Sequence, residues 1–426
     1  IHYQVSPHNQ HNVEVASIAY FDFDGMVDVR VISNKERVNS ARVRPLSYKI
    51  TPDCVGDTVT FSLSHPRNLS VEVNGDIFHN LHLFANPIDK FRPSDKEIKR
   101  ALKKKKGSNL IYFGPGVHNL PNDTLFVPSG TTVYIDGGAR VYGNIFTEGA
   151  HDVNIFGRGE VHPDGRGAGV WVRRSKNVRI DGIVVSQLPI GQCDSVELTN
   201  VKSISYYGWG DGMDVFSSSN VILDGVFCRN SDDCTAVYAS TQGFKGGSNN
   251  VLVKNATLWA DVAHPINIGG HGDPNGMDTV QNVTFRNIDI LDQAEKQIDY
   301  QGCLTINPGD NTLVRNITFE NIRIEDFRNG QLVNFRISFN PKYCVSTGRG
   351  IHNVLVKDVT YNGSGENLSI IAGYDENHKI SGIRFVNLVV NGRKITDDMP
   401  GKPKWYKTGD MAGIFIGEHV ENISFE

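Results

Sequence analysis

The sequence lacks the features that several large classes of protein require. Basic and acidic residues nearly balance, at 43 and 47, for a formal net charge of -4. This balance leaves no basic surface of the kind that nucleic-acid binding needs. No apolar run reaches the length of about 18 residues that a membrane-spanning helix requires. We therefore expect neither a nucleic-acid partner nor membrane insertion, and the oligomeric state stays open.

Cysteine is scarce, and its spacing excludes the common metal sites. None of the six cysteines forms the closely spaced pairs typical of zinc ligands, so we expect no metal and no cofactor. Cys228 and Cys234 are near enough in sequence for a disulfide in an oxidising compartment, and buried free thiols are an equal alternative. The sequence begins at Ile1 and not at methionine, which we interpret as removal of a signal peptide. A secreted or periplasmic protein is expected.

Glycine, in contrast, is abundant, with 43 residues against an average usage of roughly 7%. Many tight corners and an all-β chain are therefore predicted. Short alternating segments between Ile18 and Phe84 predict a small antiparallel β-sandwich, which we assign to residues 1–90. A capping box at Ser94 to Glu97 predicts a helix that runs to Lys106 and ends at Gly107. Residues 91–107 are assigned to this linker and capping helix.

Residues 108–426 carry a repeat, and the repeat decides the fold class. Segments of alternating apolar and polar residues recur about every 30 residues, with spacing too loose for propeller blades. Such a pattern predicts short stacked strands whose loops vary in length, in a right-handed parallel β-helix. The asparagines and glycines at the segment edges supply the left-handed backbone that corners need. The segments are Asn177–Gly182, Asn220–Gly225, Asn250–Asn255, Asn282–Asn287, Asn316–Asn321, Asn353–Asp358 and a degenerate copy at Gly382–Asn387.

Three aspartates occur at matching places in neighbouring repeats. Asp211 precedes the Asp232 and Asp233 pair by about one coil, so the three carboxylates are expected on one face of the β-helix. Clustered carboxylates without a basic partner acquire pKa values that are pushed apart, which separates an acid from a base. Inverting glycoside hydrolysis uses such a pair, with roughly 6.5 to 9.5 Å between the two carboxyl groups. An inverting glycoside hydrolase is therefore predicted.

Three segments resemble the three successive active-site motifs of the polygalacturonase family. They are Asp211–Asp214, Asp232–Cys234 and Ala263–Gly270. The resemblance implies that Asp232 is the general acid and that Asp211 and Asp233 together activate water. It also places His264 beside them as a fourth catalytic residue.

The chain departs from the polygalacturonase pattern in ways that bear on the substrate. Trp209 replaces an asparagine of the family, and Cys303–Thr305 stands where an Arg-Ile-Lys motif is expected. In polygalacturonases that basic pair holds the carboxylate of the sugar, and a buried carboxylate needs such a partner. Its absence disfavours a galacturonan substrate.

A second resemblance covers more of the chain. The chain looks like the dextranase and isopullulanase family, which carries an N-terminal β-sandwich, in two places. The first is the Asp232–Asp233 pair with Val237–Ser240 after it, and the second is the set of segments from Thr58 to Ala85. The resemblance implies inversion with three aspartates on a neutral α-glucan, and this is the favoured expectation.

Five further residues are predicted to contact the polysaccharide or oligosaccharide substrate. Aromatic side chains near the motifs can stack on sugar faces or fill the core, and Asp214 is interpreted mainly as a turn residue. The five are Trp209, Asp214, Tyr238, Asn267 and His271.

Three other functions are kept as alternatives. The first is a polygalacturonase-like pectin hydrolase. The second is a polysaccharide lyase on the same fold, for which the calcium site and the arginine base are not evident. The third is a β-helix that binds glycans without catalysis, and an intact aspartate triad argues against it.

Overall fold

A computed structural model of the chain describes residues 2–9, 12–103, 107–163, 165, 167–364 and 366–426. Almost all regular structure in these ranges is β, in two N-terminal sheets and one long sheet of stacked strands. The predicted fold class, a right-handed parallel β-helix behind a small β-sandwich, is confirmed. Within the described ranges, no helix is both long and apolar enough to cross a membrane.

Eight strands, β1 to β8, precede the helix. In chain order they are His2–Asn9, Asn12–Phe23, Val27–Ile32, Ala41–Arg44, Asp53–Val55, Thr58–Leu63, Arg67–Val73 and Asp76–Pro87. The larger sheet has the order β1-β2-β8-β7-β4, and the smaller has the order β3-β6-β5. The strand pairs of these two sheets are antiparallel as predicted, apart from β2 and β8, which pair in parallel and have the long connection that a parallel pair needs. A 3₁₀ turn lies at Leu46–Tyr48.

The helix α1 spans Asp95–Leu102 and begins with the predicted capping box. The Ser94 backbone N–H donates to Glu97 Oε2 over 2.8 Å, and the Glu97 N–H donates back to Ser94 Oγ. The described helix ends four residues earlier than the sequence predicted, and Lys104 to Lys106 lie outside the described residues.

The β-helix winds three stacks of parallel strands. The first stack contains the repeated segments and is built from Leu110–Phe113, Thr132–Ile135, His151–Gly157, Lys176–Asp181, Asp194–Thr199, Ser219–Asp224, Ser248–Lys254, Thr279–Gln293, Leu313–Ile324, Gly350–Tyr361, Lys379–Val390 and Val420–Phe425. The second contains Glu160–His162, Val184–Val185, Lys202–Ile204, Phe227–Asn230 and Thr257–Ala260, and the later halves of the long strands extend it.

The third stack, named here the site stack, carries the predicted chemistry. Its strands are Val170–Arg173, Ile190–Gly191, Val215–Phe216, Thr235–Tyr238, Ile266–Ile268, Leu304–Ile306, Val333–Arg336, Ser369–Ala372 and Ile414–Ile416. Strands Gly116–Phe126 and Ala139–Glu148 open the β-helix. Shorter elements are Gly330–Gln331, Glu366–Asn367, Arg393–Ile395 and the 3₁₀ turns Ile298–Tyr300 and Thr408–Ala412.

The predicted role of asparagine at the corners of the first stack is confirmed. Asn177, Asn220, Asn250 and Asn282 all have positive φ, between 54° and 57°. Asparagine tolerates this left-handed conformation better than other residues with a Cβ. Neighbouring corners are also joined by their amides, since Asn250 Nδ2 donates to Asn220 Oδ1 over 2.7 Å.

The core of the β-helix consists of columns of aligned apolar side chains. In one column of the first stack, successive strands place Val or Ile directly above one another in register. All are at most 1% exposed, so each coil is buried only by its neighbours. This column contains Val178, Val196, Val221, Val251, Val283, Ile317 and Val354. Stacking therefore fixes where each loop begins and ends along the β-helix.

The N-terminal sheets are docked on the second stack by buried charged groups. The Arg229 guanidinium pairs with Asp261 at 2.9 Å, and both side chains are fully buried. The same guanidinium donates to Asn80 Oδ1 of β8 over 2.8 Å. These bonds couple the β-sandwich to a coil whose next turn leads into the site stack.

Candidate active site

The predicted catalytic residues lie just before three adjacent strands of the site stack. Asp211 precedes Val215–Phe216, the Asp232 and Asp233 pair precedes Thr235–Tyr238, and His264 precedes Ile266–Ile268. Backbone hydrogen bonds hold these segments in register, from Gly212 N to Asp233 O at 2.7 Å and from Cys234 N to His264 O at 2.8 Å. The fold thus brings together residues that are up to 53 positions apart.

The three carboxylates are closer together than the sequence analysis expected. One oxygen each of Asp211, Asp232 and Asp233 lies within 4.8 Å of the others, whereas the separation expected for inversion was roughly 6.5 to 9.5 Å. The reason is that hydrogen-bonded strands lie about 4.8 Å apart whatever the length of the loops between them. Residues at equivalent positions of adjacent coils inherit this spacing.

Asp233 is held by donors on both of its oxygens. His264 Nδ1 lies 2.7 Å and His264 N 3.2 Å from Oδ1, while the Tyr238 hydroxyl and Asn267 Nδ2 donate to Oδ2 over 2.7 and 2.8 Å. Burial acts to raise the pKa of Asp233, but the neighbouring His264 and these hydrogen bonds outweigh it and lower the pKa. Asp233 is therefore held in its ionised form.

The pKa values of the other two carboxyl groups, Asp211 and Asp232, are raised. Burial, followed by repulsion from Asp214 and Asp233, raises the pKa of Asp211 well above its ordinary value. Burial, with repulsion from Asp211, Asp233 and Glu295, does the same to the pKa of Asp232. Carboxyl groups whose pKa values are driven apart in this way are the arrangement that supports acid and base catalysis.

A cleft of about 580 Å³ opens above these carboxylates, and all five predicted substrate-contacting residues line it. Trp209 is 64% exposed at its mouth. His271 packs edge-on against Tyr238, with ring centroids 5.1 Å apart. The polar groups of Tyr238 and Asn267, however, are directed to Asp233. These two side chains support a carboxylate, which the sequence alone did not suggest.

Asp214 lies beneath the carboxylates as a nearly buried side chain. It is 3% exposed, and its Oδ1 accepts a 3.2 Å hydrogen bond from Ala236 N. Burial and repulsion from Asp233 and Asp232 raise the pKa of Asp214 well above its ordinary value. The charged form of Asp214 is therefore disfavoured, and mutual repulsion links its titration to that of the other three aspartates.

Further residues that were not predicted also line the cleft, and four of them bear on its chemistry: Glu295, Tyr300, Lys342 and Tyr343. Glu295 is 5% exposed and is one of the charges that raise the pKa of Asp232. Among the described residues that line the cleft, Lys342 is the one lysine or arginine. All four belong to long loops outside the repeat, so no spacing signal could have identified them.

The six cysteines are free thiols, so the structure contains no Cys228–Cys234 disulfide.

The three clustered carboxylates have a spacing that could also hold a cation. Their oxygen ligands are of the type that hard cations prefer.

The chain matches a model of the family described as glycosyl hydrolases family 28 over residues 168–399, which is more than half of its length. It is 27% identical over 219 residues to a polygalacturonase of Juniperus ashei, covering 49% of this chain and 39% of that protein. It is 26% identical over 311 residues to a probable endopolygalacturonase D of Emericella nidulans, covering 65% and 55%. The chain thus spans between about two fifths and three fifths of these relatives' lengths.

Two solved structures share the fold at 14% sequence identity. The family 28 exopolygalacturonase of Yersinia enterocolitica has a TM-score of 0.57, with 87% of this chain and 86% of that chain covered. Dex49A from Penicillium minioluteum has a TM-score of 0.64, with 97% and 83% covered.

These findings correct one preference of the sequence analysis. The dextranase and isopullulanase family appeared closer, because the N-terminal β-sandwich matched it. The matched family model and the curated relatives instead support the first resemblance, which rested on the three aspartate motifs. The expectation of a glycoside hydrolase is confirmed at the level of the family. The chain belongs to glycosyl hydrolases family 28.

Proposed function

We propose that this protein hydrolyses glycosidic bonds of a galacturonate-containing polysaccharide. Inversion at the anomeric carbon is proposed from the family resemblance, since the carboxylate oxygens lie closer together than the roughly 6.5 to 9.5 Å of the general rule. The observation that carries the proposal is the division of protonation within the aspartate cluster. Asp233 has a lowered pKa, while the adjacent Asp211 and Asp232 have raised ones. One carboxylate held in its charged form, beside two whose protonated form is favoured, brings an acid and a base together as the reaction needs.

Asp232 is proposed as the general acid that protonates the leaving oxygen. Burial, followed by repulsion from Asp211 and Asp233, favours its protonated form. The choice of Asp232 as the acid follows the role that the family resemblance implies.

Asp211 is proposed as the base that takes a proton from the attacking water. Asp233 already accepts from four donors, which fill the roughly four lone-pair sites of a carboxylate. We therefore assign to Asp233 a supporting role, in which its fixed negative charge keeps a proton on the neighbouring pair. The sequence analysis expected Asp211 and Asp233 to act on water together.

Two observations support galacturonate as the sugar: the names of the relatives and one basic side chain, Lys342. The curated relatives include polygalacturonases and a probable endo-xylogalacturonan hydrolase A of Neosartorya fischeri. Lys342 lies on the cleft wall, and its pKa is raised, first by its hydrogen bond to Tyr343 and to a smaller extent by the charges of Glu295 and Asp232. Its ammonium group is positioned to pair with a sugar carboxylate in place of the missing Arg-Ile-Lys motif.

A neutral glucan is the second candidate substrate. It is supported by the scarcity of cations, since the described cleft wall has several carboxyl groups and a single lysine. An acidic polymer would meet net repulsion there. A polysaccharide lyase gains no support, because no arginine lines the described part of the cleft. A secreted or periplasmic location stays a prediction.

The test is the Asp232→Asn variant, assayed for release of reducing ends from polygalacturonate, dextran, pullulan and arabinan. Loss of a general acid is expected to lower kcat by about 10²- to 10⁴-fold. Asp224→Asn is the matched control, since Asp224 pairs with Lys254 at 3.0 Å outside the cleft. Proton NMR of the first product gives its anomeric configuration, which should be inverted. Wild-type inactivity on all four polymers, or full activity of the Asp232 variant, would refute the proposal.

A further inference from the structure

A loop from a later coil reaches back over the cleft. Residues 338–346, named here the crossing loop, follow Val333–Arg336, which lies four strands after Val215–Phe216 in the site stack. Four strand spacings amount to about 19 Å along the β-helix. The crossing loop nevertheless contacts residues in the coil of Val215–Phe216 as well as residues in the coils nearer its own.

The first part of the crossing loop contacts the side of the cleft where the strands begin. Lys342 Nζ donates to Gln297 Oε1 over 3.3 Å. The Tyr343 ring packs against Tyr300 at 4.7 Å and against Trp209 at 6.2 Å between centroids. Trp209, Tyr300 and Tyr343 form what we call the aromatic cluster.

The second part of the crossing loop returns to the side where the strands end. The Val345 N–H donates to Asp310 Oδ1 over 2.7 Å, and the Asp310 N–H donates to Ser346 O over 2.9 Å. The Cys344 thiol lies 3.4 Å from Gly270 O. A loop anchored on both sides must pass across the groove between them.

The aromatic cluster also spans the level of the catalytic residues. Trp209 lies in the coil of Asp211, and Tyr300 lies in the coil after His264, with its ring centroid 6.3 Å from the imidazole. The contact between Trp209 and Tyr343 therefore bridges the coils that carry Asp232 and His264. An open groove would let a polymer pass along the whole site stack, whereas the crossing loop, anchored on both sides, lies across that path.

We infer that the cleft takes the end of a glycan chain, so that the enzyme removes short products from a chain terminus. The cleft that the crossing loop spans has a volume of about 580 Å³, within the range of about 300–1,000 Å³ of sites that bind small ligands. The aromatic cluster supplies faces on which a terminal sugar ring can stack. This inference rests on the proposed function, because it concerns the mode of attack at the same site.

The experiment follows the digestion of tri- to octagalacturonate carrying a fluorescent label at the reducing end. Attack at either terminus is expected to give a constant step, seen as a regular ladder of labelled fragments or as one labelled product at every length. On the polymer, viscosity should fall much more slowly than reducing ends appear. A random set of fragments from the first time point, with a rapid loss of viscosity, would overturn the inference.

The crossing loop is tested with the Trp209→Ala/Tyr343→Ala double variant and with replacement of residues 339–343 by a glycine-serine turn. Either change should open the groove and yield internal fragments. Val345→Ser is the control, since Val345 is 73% exposed on the same loop. Folded variants that keep the wild-type pattern would refute the role of the loop. Wild-type inactivity on every substrate would instead count against the proposed function, whereas activity with random products counts against chain-end attack alone.

Discussion

The Tyr238 hydroxyl donates a 2.7 Å hydrogen bond to Asp233 Oδ2, and the same hydroxyl lies 2.9 Å from Asn267 Nδ2. Tyr238 and Asn267 thus fix one oxygen of Asp233 from two directions, while His264 fixes the other. Hydrogen bonds to a carboxylate favour its charged form. The protonation of the whole aspartate cluster depends on these bonds.

Tyr238→Phe should move the acidic limb of the pH–rate profile to higher pH. Losing a donor raises the pKa of Asp233, so the ionised form is lost earlier as the pH falls. A hydrogen bond to a charged group contributes about 1.5–3 kcal/mol, so kcat/KM should fall by about tenfold or more. The control is Tyr134→Phe, which removes an equal 2.7 Å bond to Asp89 outside the cleft. An unmoved acidic limb in the Tyr238 variant would contradict the positioning role.

Glu295→Gln should move the alkaline limb to lower pH. Glu295 is one of the charges that raise the pKa of Asp232, so its neutralisation lowers that pKa. The general acid then loses its proton at a lower pH, and activity declines earlier as the pH rises. The control is Glu418→Gln, whose side chain is 93% exposed. An alkaline limb that stays in place would argue against Asp232 as the acid.

Lys342→Gln separates the two candidate substrates. If Lys342 pairs with a sugar carboxylate, KM for polygalacturonate should rise several-fold, and the effect should weaken with added salt. KM for a neutral glucan should be unchanged, because no charge is lost from that complex. Lys394→Gln is the matched control, since Lys394 is an exposed residue of strand Arg393–Ile395 outside the cleft. Equal effects on acidic and neutral substrates would leave Lys342 without a role in charge recognition.

Chelation distinguishes hydrolysis from the lyase alternative. The proposed acid and base are carboxyl groups of the protein, so dialysis against EDTA should leave the release of reducing ends unchanged. A calcium-dependent lyase would lose activity and would generate unsaturated products that absorb in the ultraviolet. Activity that disappears with EDTA and returns with added calcium would show that the aspartate cluster holds a metal.

Arg229→Met tests how firmly the N-terminal sheets are docked. The substitution leaves Asp261 buried without its closest cation and removes the bond to Asn80. Breaking a buried ion pair in this way should lower the free energy of unfolding by about 3–5 kcal/mol. Arg384→Met, which breaks an exposed pair with Glu426, should change stability little. Equal unfolding midpoints for the two variants in urea would contradict this prediction.

Much of the β-helix could be predicted because its information is local and repeated. Corner asparagines such as Asn220 lie near the start of most repeated segments of the first stack, and the apolar alternation after them marks the inward face. The convergence of Asp211 with Asp232 and Asp233 could be predicted for the same reason. Equivalent positions of adjacent coils stack at the strand spacing, so counting coils was sufficient.

The surroundings of the carboxylates were decided by the tertiary structure alone. Tyr238 and Asn267 were predicted to face the substrate, and their bonds to Asp233 depend on side-chain directions that no pattern specifies. Glu295 and Lys342 reach the cleft from loops that do not repeat. Trp209 and Tyr343 meet across 134 residues, because the crossing loop folds back over four coils. Strand register is set by a short periodic pattern, whereas loop position depends on long-range contacts that form only when the stack is complete.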